Sequence, residues 1–213
     1  MLRSALLLPI ALATVALTGC AIEDDGARVS QTRHVAGFTR IDNPGSVDIR
    51  LHVGDGQHVR VRAGEKVIDD VHTEVRDGTL HVDYDHHGFG GNDVVVEASV
   101  PELDGVTASG SGDIDVDGIR ADAFEVRSDG SADIALTGTT DRLKVDLDGS
   151  GDANVAGLTA HDARVSVGGS GDASVRADER LDVKLDGSGD VRYSGNPQLT
   201  KNLDGSGDLR RAD

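Results

Sequence analysis

Six aspartates at a near-constant spacing are the residues best placed to do chemistry: Asp113, Asp133, Asp152, Asp172, Asp190 and Asp208. Each closes a Gly-Ser-Gly-Asp motif, at 110–113, 149–152, 169–172, 187–190 and 205–208, with a Gly-Ser-Ala-Asp variant at 130–133. The first glycines lie 20, 19, 20, 18 and 18 residues apart. Stacked copies would set like carboxylates ~4.8 Å apart, a repulsion of about 1 kcal/mol in water that something must offset. One answer is local: Asp and Ser side chains accept hydrogen bonds from turn N–H groups. The other is weak divalent-cation binding, with Ca²⁺ bridging carboxylates of neighbouring copies, since oxygen-only ligands suit a hard cation. Period and Asp placement both differ from the nonapeptide calcium repeat. No other cofactor is expected.

The remaining reactive residues are sparse. Asp85-His86-His87 pairs two imidazoles with a carboxylate, but neighbours on an extended chain point to opposite faces and no spaced third His accompanies them. His34, His52, His58, His72, His81 and His161 alternate with apolar residues or sit in loops, and are expected on the solvent face. The serines are ladder members without a distinct base, and repetition makes the aspartates nearly equivalent, so no carboxylate pair is singled out for acid–base work. No catalytic residue is assigned.

The single cysteine has a different use. Residues 1–19 combine Arg3 with an apolar stretch from Leu6 to Leu17, too short for a stable membrane span and fitting a signal peptide. Leu17-Thr18-Gly19-Cys20 resembles the bacterial lipobox. That resemblance implies cleavage before Cys20, acylation of its thiol, and a membrane anchor outside the cytoplasm. Residues 20–33 are polar and lack periodicity, and are expected to form a flexible tether.

The elements that must position the aspartates are strands. Val47, Ile49, Leu51 and Val53 alternate with polar residues, as do Val59 and Val61 after Gly54-Asp55-Gly56. Val71 and Val75 lead to the hairpin dipeptide Asp77-Gly78, then Leu80, Val82 and Tyr84, a loop, and Val94 to Val100. Within the repeats, parity is decisive. Leu143, Val145, Leu147, Gly149, Gly151, Ala153 and Val155 share one face, and the same holds around the other motifs. Glycine therefore falls on inward positions where the chain bends, while Ser and Asp point outward. A period near 19 with this parity predicts an all-β, parallel β-helix-like solenoid over 104–213, preceded by a strand-rich region over 34–103 of the same domain.

Composition sets limits. Among 213 residues, 38 acidic against 21 basic give a net charge of −17, which leaves no basic surplus for nucleic acid. A lone Cys excludes an intramolecular disulfide framework. Trp is absent and aromatics make up 2%, which argues against stacking platforms.

The export signal, the strand-rich first half and the serial motifs together resemble the bacterial head GIN domain family, the "putative auto-transporter adhesin" group. The carriers are Val100-Pro101-Glu102-Leu103 followed by Ala108-Ser109-Gly110-Ser111-Gly112-Asp113, and the run from Asp186 to Pro197. The resemblance covers about 34–210 and departs from the pattern at Ala132. It implies a right-handed parallel β-helix-like fold, a cell-surface setting and no established activity. The expectation is a non-enzymatic, lipid-anchored envelope protein that offers its stacked faces to an envelope protein or polymer. The alternatives are a β-helix enzyme acting on envelope polysaccharide and a Ca²⁺-binding structural factor of the envelope.

Overall fold

The computed structural model describes residues 26–84 and 94–212. Leu17, Thr18, Gly19 and Cys20, and the Asp85-His86-His87 cluster, lie outside the described residues. The chain is a β-solenoid of about five turns, as the repeat predicts. Its strands are β1 (Arg28–Arg33), β2 (Arg40–Asn43), β3 (Asp48–Val53), β4 (His58–Gly64), β5 (Val71–Arg76), β6 (Thr79–Tyr84), β7 (Val95–Val100) and β8 (Gly105–Ala108). They continue with β9 (Ile114–Ser128), β10 (Ile134–Leu147), β11 (Ala153–Val167), β12 (Ala173–Leu185), β13 (Val191–Ser194), β14 (Gln198–Leu203) and β15 (Leu209–Arg211).

Each repeat contributes one rung with an arch at its motif. The residues leading into the arch form one flank, the leading flank, and those leaving it form the other, the trailing flank. Pairing between rungs is parallel, with register shifts between the two flanks that absorb the unequal repeat lengths: Leu143 lies between Phe124 and Ala163, and Ile134 between Ile114 and Ala153. The period-2 parity is what makes this stack possible, because it turns every second side chain inward over a column of like residues. Val126, Val145, Val165 and Val183 form one such column, and each is fully buried. At ~1.5–3 kcal/mol for each fully buried aliphatic, the columns are the main stabilising term. A narrow interior suits Val, Ile, Leu and Ala; Phe124 and Phe38 are the only aromatics among the buried residues described.

The first half belongs to the same stack, but not in chain order. β2 pairs in parallel with both β6 and β8, and β3 with both β7 and β9. The rung made of β2 and β3 therefore lies between the β6–β7 rung and the first repeat. The chain lays down an inner rung, runs outward through β4 and β5, returns as β6 and β7, and then crosses to β8. The arch of the β2–β3 rung is Gly45-Ser46-Val47-Asp48, a seventh copy of the motif that the regular spacing conceals. Gly45 stacks under Gly110, the Ser111 N–H donates to the Gly45 carbonyl at 3.0 Å, and Asp48 aligns with Asp113. Buried Asn43 holds this arch by donating to the carbonyls of Val47 (2.7 Å) and Gly112 (3.1 Å).

The two ends differ. At the N-terminal end β4 runs antiparallel to β7 and β1 antiparallel to β4, while β5 and β6 form an antiparallel hairpin. That hairpin turns on Asp77 and Gly78, with φ of 49° and 74°, the two left-handed residues a type I′ turn requires. Ile68, opening a short 3-10 segment (Ile68–Asp70), and Val67 just before it are buried against the core. Part of the stretch expected as a tether over 20–33 is strand instead. Arg28–Arg33 pair as β1, fastened by polar contacts that leave no apolar pattern to read: Gln31 donates to Asp69 and Arg33 to the Ile68 and Val71 carbonyls. At the other end β14 and β15 each have a single partner, and Leu203, the register mate of buried Leu185, is 38% exposed.

Candidate functional site: an aspartate ladder and a charged groove

The arches bring the six predicted aspartates into one column, but their carboxylates are engaged across rungs rather than within turns. The backbone N–H of Asp133 donates to Asp113 Oδ1 at 2.9 Å, and that of Asp152 to Asp133 Oδ1 at 2.8 Å. Asp172, Asp190 and Asp208 continue the series at 2.8, 2.8 and 2.9 Å. Asp48 starts it, accepting from the Asp113 N–H at 3.2 Å. The physical reason lies in the arch. Where the chain turns, the backbone carbonyl that would accept this N–H points elsewhere, and a side-chain oxygen one rung below takes its place. For Asp172 the incoming Asp190 N–H, with Arg192 at the second oxygen, holds the carboxyl below its ordinary range. Among the described residues no three His, Cys, Asp or Glu side chains gather as a metal site would.

Glycine at the first arch position meets a neighbour rather than the core. A Cβ on Gly149 would stand 1.9 Å from the Gly130 carbonyl oxygen. The position that reads as inward by parity thus faces the adjoining backbone. The second position does accept a side chain in two copies, where Val47 and Ala132 are fully buried.

Three of the six described histidines pair with acids. His52 contacts Asp117, His81 meets Asp42 at 2.9 Å, and His161 lies 3.4 Å from Asp141. Ser99 and His58 approach to 2.7 Å across the β4–β7 ladder. Ser99 is buried and also lies 3.1 Å from the Gly56 carbonyl, so the pair fastens a strand edge.

A concavity of about 1150 Å³ lies elsewhere, along the leading flank. It runs from Arg40 and Leu103 at one end to Gln198 and Thr200 at the other. Register explains its paving. One outward row reads Ala123, Arg142, Asp162, Arg180, Gln198, and the next Arg40, Gly105, Glu125, Lys144, Arg164, Asp182, Thr200. Opposite charges meet across rungs. Arg40 crosses side-chain-free Gly105 to reach Glu125 at 2.9 Å, and Lys144 reaches Glu125 at 3.1 Å and Asp146 at 2.7 Å. Arg180 forks onto Asp162, and Arg164 lies 3.5 Å from Asp182. Lys144 and Arg40 hold the Glu125 carboxyl below its ordinary range, and Asp146 with Glu125 raises Lys144. Arg120 and Arg142 also line the groove; among the described residues neither guanidinium makes an ion pair or hydrogen bond, although Arg142, beside Asp162 in the register, helps to hold that carboxyl below its ordinary range behind Arg180. Arg120 is shared with a second hollow of about 480 Å³ around the corner, floored by Thr139, Thr140 and Thr159.

These lining residues escaped the motif reading because they do not repeat. Their signal was the opposite one: outward positions that change from copy to copy beside arches that stay the same.

The fold matches known proteins. A family described as "Putative auto-transporter adhesin, head GIN domain" matches residues 37–197. The chain belongs to this family. Among solved structures, this head GIN domain is similar to a putative adhesin from Bacteroides fragilis, with a TM-score of 0.72 at 20% identity, covering 87% of this chain and 97% of that one. It is also similar to a putative lipid binding protein from Parabacteroides distasonis (TM-score 0.56, 23% identity, 88% and 98% covered). A putative adhesin from the same organism gives 0.57 at 21% identity, with 88% and 98% covered. At such identities the likeness establishes the fold. No curated protein matches the chain. No helix among the described residues is long and apolar enough to cross a membrane.

Proposed function

We propose that this head GIN domain is a non-enzymatic binding module, held on a membrane outside the cytoplasm by a lipid on Cys20, which presents its leading flank to an envelope protein or polymer. The observation that carries the binding reading is the groove: an open trough across the rungs, paved with both signs of charge, in which the Arg120 and Arg142 guanidiniums make no hydrogen bond. Family membership supports the surface setting, and the motif Leu17-Thr18-Gly19-Cys20 supports the anchor. Metabolic labelling with an alkyne fatty acid tests the anchor. Label and membrane association are expected in the native chain and absent from Cys20→Ser; label retained by that variant refutes acylation at Cys20. A photo-crosslinking residue in place of Thr200, at the groove's rim, tests the binding face on intact cells. A discrete adduct is expected there and not from the same probe at Ser150 on the arch. Adducts from Ser150 alone overturn the choice of flank.

A further inference from the structure

The groove's chemistry narrows what it can hold. Its lining carries six bases, Arg40, Arg120, Arg142, Lys144, Arg164 and Arg180, in a chain whose net charge is −17. Six acids balance them: Glu102, Asp104, Asp122, Glu125, Asp162 and Asp182. Arg40 and Lys144 are bound to Glu125, Arg180 to Asp162 and Arg164 to Asp182. The side chains in the lining that make no ion pair or hydrogen bond are mixed in sign: Arg120 and Arg142, with Arg142 feeling Asp162 only at longer range, and Glu102, Asp104 and Asp122. A free guanidinium fork suits a carboxylate. A purely anionic ligand would nevertheless meet the repulsive field of the whole chain. A neutral sugar polymer would find no aromatic platform, because Phe124, the only aromatic in the lining, is 2% exposed.

We propose that the groove binds an extended, mixed-charge peptide segment of a partner protein, whose carboxylates dock on Arg120 and Arg142 and whose ammonium groups dock on Glu102 and Asp104. This rests on the reading of the domain as a binding module. The row from Arg40 to Thr200 crosses six steps between rungs. At ~4.8 Å a step that is about 29 Å, the reach of about nine extended residues.

The test uses the full chain in mild detergent and three fluorescent probes read by anisotropy: an alternating Glu-Thr-Lys-Thr peptide, a poly-Glu peptide of equal length, and a polyuronate. The mixed peptide is expected to bind best. Arg120→Gln with Arg142→Gln should weaken it roughly tenfold or more with an unchanged melting temperature, since neither guanidinium holds the fold together. Glu102→Gln with Asp104→Asn should narrow the gap between the mixed and poly-Glu peptides. Equal binding by the Arg120/Arg142 double variant overturns the proposal. So does tighter binding of the polyuronate, which would point to polysaccharide instead. Failure of all three probes, alongside a protein adduct crosslinked from Thr200, overturns the peptide chemistry while leaving the binding module standing.

Discussion

Replacing Gly149 with alanine tests how the arches stack. The new Cβ would lie 1.9 Å from the Gly130 carbonyl oxygen, 2.8 Å from its nitrogen and 2.9 Å from the Asp129 carbonyl carbon. All three are backbone atoms, so no rotamer can give way, and the two rungs must part. Three bonds between these rungs would loosen: Gly149 N–H to Ser128 O (3.2 Å), Ser150 N–H to Gly130 O (2.8 Å) and Asp152 N–H to Asp133 Oδ1 (2.8 Å). At about 1 kcal/mol net for each bond the loss is about 3 kcal/mol. The smaller entropy of the unfolded alanine chain returns about 0.4–1 kcal/mol. A net destabilisation of about 2 kcal/mol is expected, read as a lower midpoint of urea unfolding at unchanged slope. Gly151→Ala should cost less than half as much. Its Cβ would also stand close to a backbone oxygen, at 2.0 Å from that of Ala132. But the second arch position already carries buried Val47 and Ala132, whereas the first is glycine in all seven copies. Exposed Ser150→Ala is the control, within about 0.5 kcal/mol of the native chain. A Gly149→Ala midpoint equal to the native one, or a larger loss at Gly151, would refute the stacking argument.

Other perturbations follow from the same geometry. Asp152→Ala removes the acceptor for the Asp172 N–H (2.8 Å) and should cost about 0.5–1.5 kcal/mol in urea melts, with Asp152→Asn, which keeps an oxygen, costing less. Millimolar Ca²⁺ is expected to leave the thermal midpoint unchanged, because one oxygen of every inner ladder carboxylate already accepts an N–H; a rise of several degrees would show the free oxygens bridging cations. Asp172 and Glu125 are both held below their ordinary values of 3.8 and 4.5, so their contribution is whole above those values and is lost as pH falls through the lowered ones. Thermal midpoints should therefore fall on acidification below about pH 4, less steeply in Asp172→Asn, and an acid limb unaltered by that variant would contradict the sign. Phe124→Ala should cost about 3–5 kcal/mol by opening a cavity in the columns.

Much of this architecture was legible in the residues, for one physical reason. Parity and period are local quantities, and a solenoid is assembled from local units, so Leu143 to Val155 already state which side faces in. The order of the first rungs was not legible. It depends on which strands meet after a long excursion, and the pairing of β2 with both β6 and β8 leaves no periodic mark. The copy at Gly45-Ser46-Val47-Asp48 stands in the sequence, yet the 65 positions from Gly45 to Gly110 break the regular spacing that marks the others. Parity alone sets the ladder aspartates on the outward side, while their acceptor role across rungs needed the stacking itself. β1 was missed because its anchors are polar, Gln31 and Arg33, on a strand without apolar alternation.

The repeats also let one chain serve as its own comparison. Seven arches solve the same problem, stacking a turn on a turn, and they converge on Gly, Ser and Asp because backbone approach and an unfilled N–H leave little choice. The leading flank faces no such demand. Its outward positions need only stay polar, and any outward residue of middling size would serve the fold. Yet the row through Lys144 runs Arg40, Gly105, Glu125, Lys144, Arg164, Asp182, Thr200, differing at every step, with Gly105 placed where Arg40 must pass and the Arg120 and Arg142 guanidiniums left without a hydrogen bond. A merely solvated face would tolerate this irregularity but would not require it. A face that recognises one extended partner would require it, since each rung then meets a different group. The constant arches thus carry the fold, and the changing flank is where recognition can be written.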